Sequence, residues 1–197
     1  MFIGLTGGMG CGKSTASAIF AKMAWQVLDA DDICHSLYEE RDGQLLKLLI
    51  KRWGEVVINP NGIGIDREKV SNIIFNSSEE RKWLNATIHP LVLKKALDIY
   101  ATNSEINTLF DVPLLYESGW ENHFDSIVAI WTNNEIRTLR LRKRGMSDNE
   151  IERRDAAQMS IERKVDRADY ALINNGSVEQ LRAQCAIISN AIGTHSC

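Results

Sequence analysis

Apolar residues fall into two rhythms along this chain. Dense short runs at residues 2–6, 26–29, 107–112, 126–131 and 168–173 predict five buried strands. Between them the apolar positions recur every third or fourth residue. Ala16, Ile19, Phe20 and Met23 predict a helix after the first strand, and Leu45, Leu46, Leu48 and Leu49 another that ends near Trp53-Gly54. Residues 66–75 and 78–100 read as two more, with Ser77-Ser78-Glu79-Glu80 as a start signal. Pro90 is expected to kink or break the second of these after His89. A last helix, capped by Ser177, is expected to turn Val178, Leu181, Ala186, Ile187 and Ile188 inward, and the tail 193–197 is expected to fray. Strands alternating with helices predict an α/β fold with a parallel sheet. The long helical stretch between the second and third strands reads as an insertion.

The first strand runs straight into Gly7-Gly8-Met9-Gly10-Cys11-Gly12-Lys13-Ser14-Thr15. This fits G-x-x-x-x-G-K-[ST], and strand before, helix after is the context that phosphate-binding loop needs. Glycines let several N–H groups converge on one set of phosphate oxygens. Lys13 can reach the β- and γ-phosphates, the Ser14 hydroxyl can ligate Mg²⁺, and the helix adds its positive end. A chance glycine turn is the alternative, and the strand and helix around the motif weigh against it.

Composition bounds the rest. The chain has 197 residues and a formal charge of −3. That size allows one α/β domain with an insertion, and that charge argues against non-specific binding of nucleic acid. No apolar run reaches the roughly 20 residues of a bilayer span, and the N-terminus enters a strand directly, so neither a membrane span nor a signal peptide is expected. Cys11, Cys34, Cys185 and Cys197 form no C-x-x-C pair, which argues against a zinc site or disulfide framework and for a reducing, cytoplasmic setting. Cys11 is either an accessible thiol near helix-end positive charge or a passive loop residue.

Three acids, Asp29, Asp31 and Asp32, follow the second strand. Strand ends are where ligands bind in open α/β sheets. Either Asp29 or Asp31 can do chemistry, or the cluster can cap the next helix. His89 reads as a structural histidine or a ligand-facing one. Asp111 ends the third strand as a Mg²⁺-holding Asp does, a pattern many buried strands share. Ten cations lie between Arg137 and Arg167: Arg137, Arg140, Arg142, Lys143, Arg144, Arg153, Arg154, Arg163, Lys164 and Arg167. Broken at Gly145-Met146-Ser147, this stretch reads as short basic helices forming a lid over phosphates, most of the cations on the surface and one or two in the chemistry. The organisation that follows is one domain, with a core at 1–32, 106–136 and 168–192, an insertion at 33–105 and a lid at 137–167.

In order along the chain, the phosphate loop, Asp29-Ala30-Asp31, Asp66-Arg67 with Phe75, Ile88-His89-Pro90, Val112-Pro113-Leu114-Leu115-Tyr116-Glu117, Arg140 with Arg144, Gln158, and Ala168-Asp169-Tyr170 before Asn175-Gly176 resemble the dephospho-CoA kinase family over nearly the whole length. The resemblance implies a three-layer α/β/α fold of the P-loop NTPase type, with a five-stranded parallel sheet, a helical CoA-binding insertion and a lid. It implies transfer of the γ-phosphoryl of ATP to the ribose 3′-hydroxyl of dephospho-CoA, the final step of coenzyme A biosynthesis, with Mg²⁺ and with no obligatory protein partner. By the same resemblance Gly10, Cys11, Gly12, Lys13, Ser14 and Thr15 hold the ATP phosphates, Ser14 the metal. Asp31 is the base, Arg140 the lid arginine, and His89, Tyr116 and Glu117 line the acceptor site. Cys11 stands in place of a small hydroxyl residue, Ala24 where a glycine is common, Trp131 at a strand end that is commonly aliphatic, and Asn174 where an Asp is common. A nucleoside or nucleotide monophosphate kinase of the same fold is the nearest alternative. A nucleotide-dependent switch is the alternative from another class, and the absence of an N-K-x-D motif counts against it.

Overall fold

The computed structural model describes residues 1–193. The expectation for the tail therefore lies outside the described residues beyond Gly193. Contacts divide the chain into two compact units, one of residues 1–28 with 103 onward, the other of residues 29–102.

The first unit is built on a five-stranded sheet of order β2-β3-β1-β4-β5. Its strands are β1 (Phe2–Gly7), β2 (Gln26–Asp29, whose last residue the contacts assign to the second unit), β3 (Thr108–Asp111), β4 (Ser126–Trp131) and β5 (Tyr170–Ile173). β1 pairs in parallel with β3 (Phe2 opposite Thr108) and with β4 (Ile3 opposite Ser126), and β4 pairs in parallel with β5. β1 is buried along its whole length, as a central parallel strand covered on both faces must be, which is why it reads as a continuous apolar run. Around the sheet lie α1 (Lys13–Lys22), α6 (Asn134–Lys143), α7 (Asp148–Ala156), α8 (Ile161–Arg167) and α9 (Val178–Gly193). Ile3, Leu5, Ile19, Phe20, Leu109, Val128, Ile130, Leu172, Leu181 and Ile188 share one core.

α1 stops in a Schellman arrangement: Trp25 N–H donates to Phe20 O at 3.2 Å and Ala24 N–H to Ala21 O at 3.2 Å. Ala24 carries φ 64°, left-handed backbone that usually selects glycine. The Phe20 and Trp25 rings meet edge to face at 5.1 Å, supplying the apolar clasp that accompanies this motif. On α9 the inward residues are Leu181, Cys185, Ile188 and Ile192; Val178 and Ile187, expected inside, are 48% and 68% exposed. Ile187 lies off the Leu181–Cys185–Ile188–Ile192 stripe, whose 3- and 4-residue steps set the buried face, whereas Val178 is in register with it but is the first residue of the helix.

The second unit is helical: α2 (Ala30–Glu39), α3 (Gln44–Trp53), α4 (Arg67–Asn76) and α5 (Ser78–Thr102). Ile33, Leu37, Leu45, Leu49, Val70, Leu84, Ile88, Val92 and Ala96 are buried in it. Asp66 caps α4 by accepting from Lys69 N–H at 3.1 Å. Arg52 and Trp53 at the end of α3 both donate to Glu80 on α5, at 2.8 Å each. The break expected at Pro90 does not occur, for α5 runs through it over 25 residues. Pro90 lies on the exposed face, as does Ala86 four residues back, whose carbonyl loses its donor where water can replace it. Buried Leu84, Ile88, Val92 and Leu93 hold the helix on both sides. Among the described residues no helix is long and apolar enough to cross a membrane.

Candidate active site

The turn from β1 into α1 carries positive φ at Gly10 (78°) and Gly12 (100°). Gly12 occupies the N-cap position of α1, no side chain caps that helix, and its first turn holds no acid. The helix thus starts with its positive end uncompensated by a side-chain cap or by an acid of its own first turn. Lys13 folds its Nζ back over the turn, 3.3 Å from Gly7 O and 3.5 Å from Gly8 O. Ser14 and Thr15 are exposed. Cys11 is fully buried, and burial raises its thiol pKa against the opposing pull of Lys13 and Arg137. It is a passive loop residue, not an accessible nucleophile.

Beside this turn lies a cleft of about 370 Å³ whose walls include Gly8, Thr132, Arg137, Gln158 and Glu162. Seven of the ten basic residues are exposed; Arg137 and Lys164 are buried and Arg140 half-buried. Arg137 grips the Asp155 carboxylate in a two-armed pair, with Nη1 to Oδ1 at 2.8 Å, and donates to Asn134 Oδ1 at 2.8 Å. It therefore ties α6 to α7 within the basic stretch, and its Nη1 reaches Met9 O of the glycine turn at 3.5 Å. Arg140, one turn further on, donates from Nη2 to Asn174 O at 3.1 Å, with Nη1 3.5 Å from Thr132 Oγ1. Asn174 Nδ2 and Thr132 Oγ1 both donate to Cys11 O, at 2.8 and 3.0 Å.

At the end of β3, the buried Asp111 carboxylate accepts from Ser17 Oγ of α1 at 3.4 Å. The chain then enters Pro113–Glu117. Glu117 pairs with Lys164 Nζ at 2.9 Å and accepts from Met159 N–H at 2.8 Å. Lys164 is wholly buried and also donates to Pro113 O. Burial lowers its pKa, while Glu117 pulls the other way. Tyr116 is buried with Arg167 stacked 4.3 Å above its ring, and desolvation pushes its phenol up to about 12. Tyr116 thus stays protonated at working pH.

In the helical unit the acidic cluster resolves into distinct roles. Asp29 is the cap of α2, its Oδ1 accepting from the N–H groups of Asp31 at 2.7 Å and Asp32 at 3.4 Å. Asp31 stands exposed in the first turn and is not the capping carboxylate. It lines a cavity of about 250 Å³ with His35, Tyr38 and Arg67. Arg67 meets His35 Nε2 at 3.1 Å and lies 5.4 Å above the Tyr38 ring. His89 is half-buried in mid-α5, and desolvation lowers its pKa, which favours the neutral imidazole.

The structure thus gathers Lys13, Ser14 and the loop residues, with Arg140, Tyr116 and Glu117, in the sheet unit, and carries Asp31 and His89 in the helical one. Sequence reasoning missed Arg137, Thr132, Asn174 and Lys164. Nothing in the sequence sets Arg137 and Lys164 apart from the exposed basic residues around them.

Comparison with known proteins follows the same lines. The family described as "Dephospho-CoA kinase" matches residues 1–180. A dephospho-CoA kinase of Aquifex aeolicus is 37% identical over 184 residues, 92% of this chain and 92% of that one. A crystal structure from Thermus thermophilus superposes with TM-score 0.78 at 31% identity, covering 96% of this chain and 97% of that chain. The structure of a dephospho-CoA kinase from Campylobacter jejuni gives TM-score 0.74 at 25% identity, covering 100% and 98%.

Proposed function

The chain belongs to the dephospho-CoA kinase family, and from that premise we propose how its residues share the work. The reaction moves the γ-phosphoryl group of ATP to the ribose 3′-hydroxyl of dephospho-CoA, the last step of coenzyme A biosynthesis. The 3′-oxygen bonds to the γ-phosphorus, the bond from that phosphorus to the β–γ bridging oxygen breaks, ADP leaves, and the hydroxyl proton goes to a base.

Gly10 to Thr15 hold the triphosphate through backbone N–H groups, and Lys13 meets the β- and γ-oxygens. The observation that carries this is the start of α1, free of side-chain cap and of acid, with Lys13 folded over the same turn. Arg140 stabilises the charge on the transferring group. Asp31 is the base: Asp29 has taken the capping duty, which leaves the Asp31 carboxylate for the 3′-hydroxyl proton. His89, Tyr116 and Glu117 serve the acceptor side. Tyr116 does so as a neutral hydrogen-bonding group, and Glu117 by fixing the turn before α8 through Met159 and Lys164. Residues 33–105 form the acceptor-binding insertion and 137–167 the lid, on a core of 1–32, 106–136 and 168–192.

Magnesium fits the donors present. Ser14 offers an exposed hydroxyl at the helix start. Among the described residues no cluster of three His, Cys, Asp or Glu is placed to cage a metal, and Mg²⁺ in such sites is held chiefly by phosphates, water and one or two protein oxygens. Ser14 would hold the ion beside the phosphates, where it would supply positive charge against theirs. The setting we infer is the cytoplasm, with no protein partner required for turnover.

A coupled ADP-release assay with Mg·ATP tests the acceptor against a panel that includes nucleoside monophosphates. Turnover is expected with dephospho-CoA, and the product should carry its new phosphate at the 3′ position. Turnover confined to a monophosphate would overturn the assignment.

A further inference from the structure

The peptide joining Cys11 to Gly12 is trans, so its carbonyl and its N–H point in opposite directions. The carbonyl is held by the Asn174 amide at 2.8 Å and the Thr132 hydroxyl at 3.0 Å. The Gly12 N–H is thereby turned away from both. The two donors are unequal. Thr132 has one proton and two acceptors in reach, Cys11 O and Asn174 O at 3.3 Å, so it serves one at a time. The Asn174 amide carries two protons, and one is spent on Cys11 O.

Asn174 also sets the space. A Cβ built on Gly12 would lie 2.2 Å from Asn174 Nδ2. The amide is pressed against the loop, and only glycine lets it approach. Asn174 is 7% exposed. Its N–H donates to Trp131 O at 2.9 Å, which anchors it at the strand ends, and its carbonyl accepts from Arg140. One buried residue therefore touches both the loop carbonyl and the arginine.

We propose that Asn174 is a positioning residue for the nucleotide. Its side-chain amide orients the Cys11–Gly12 peptide so that the Gly12 N–H is presented to the phosphates, and its main-chain carbonyl holds Arg140 beside the loop. The inference rests on the reading of Gly10 to Thr15 as the phosphate cradle.

The test measures Mg·ATP affinity by calorimetry for Asn174→Ala and Asn174→Asp, together with the KM for dephospho-CoA at saturating ATP. Lys13→Ala is the control for the cradle itself. Asn174→Ala should raise the ATP Kd about 10-fold, the scale of one hydrogen bond to a charged group. Asn174→Asp should raise it further, because its carboxylate faces the Cys11 carbonyl. The KM for dephospho-CoA should stay within about twofold of wild type. If both Asn174 variants bind ATP like wild type while Lys13→Ala does not, the inference fails alone. If Lys13→Ala also keeps wild-type affinity, the cradle reading fails and takes the inference with it. A parallel rise in ATP Kd and dephospho-CoA KM would mark a general structural role and would overturn the proposal too.

Discussion

Two helices of this chain begin in opposite ways. α1 starts at Gly12, with no side-chain cap and no acid in its first turn. α2 starts at Asp29, whose carboxylate takes the N–H groups of Asp31 and Asp32, with those two acids adding negative charge to the same turn. Both ends carry the same backbone field, roughly half a positive charge. In α2 the protein neutralises that field itself. In α1 it leaves the field open and adds the Lys13 ammonium. The lesson is that a helix end becomes an anion site by what the sequence withholds from it. A filled end can instead display carboxylates for proton transfer.

The sharpest way to break this contrast is at α1. Lys13→Ala removes the cation that reinforces the open end and should lower kcat/KM for ATP by about 10³, with both ATP affinity and kcat falling. Steady-state kinetics over a range of ATP concentrations measures it. At α2 the contrast lies between two neighbouring acids. Asp31→Asn should lower kcat about 10²-fold and leave ATP affinity near wild type, as expected for loss of a general base. A kcat close to wild type would reduce Asp31 to a helix-end charge. Asp29→Ala should instead act on stability, costing about 1 kcal/mol through loss of the cap, seen as a lower urea midpoint. The smallest effect belongs to the far end of α1. Ala24→Gly relieves left-handed backbone at φ 64° and should stabilise by roughly 0.5–1 kcal/mol after glycine's entropy is counted. An unchanged or lower thermal midpoint would show that the Phe20–Trp25 clasp already offsets the strain.

The parts that were legible in the sequence are those whose cause is local. β1 announces itself because a central strand is apolar throughout, and the loop because its glycines are needed at fixed spacing. Asp29 and Asp31 were legible as two candidate acids, and the structure gives Asp29 the capping hydrogen bonds. What stayed hidden depends on partners distant in the chain. Asn174 meets Cys11 across 163 residues. Arg137 and Arg142 look alike in sequence, yet Arg137 is buried against Asp155, 18 residues away, while Arg142 is an exposed partner of Asp148. Pro90 does not end α5, because the carbonyl that loses its donor faces water, which can replace it.

Lys164 has a consequence for chemical labelling. Acylating reagents need a deprotonated amine and a path to it. Burial favours the first by lowering the pKa of Lys164, but the side chain has no accessible surface, and its ammonium is taken up by Glu117 and Pro113. It should therefore stay unlabelled while exposed neighbours such as Lys143 react, and acquire label only when α8 lifts from the sheet. The slow appearance of label at this one position would serve as a clock for local opening of that segment.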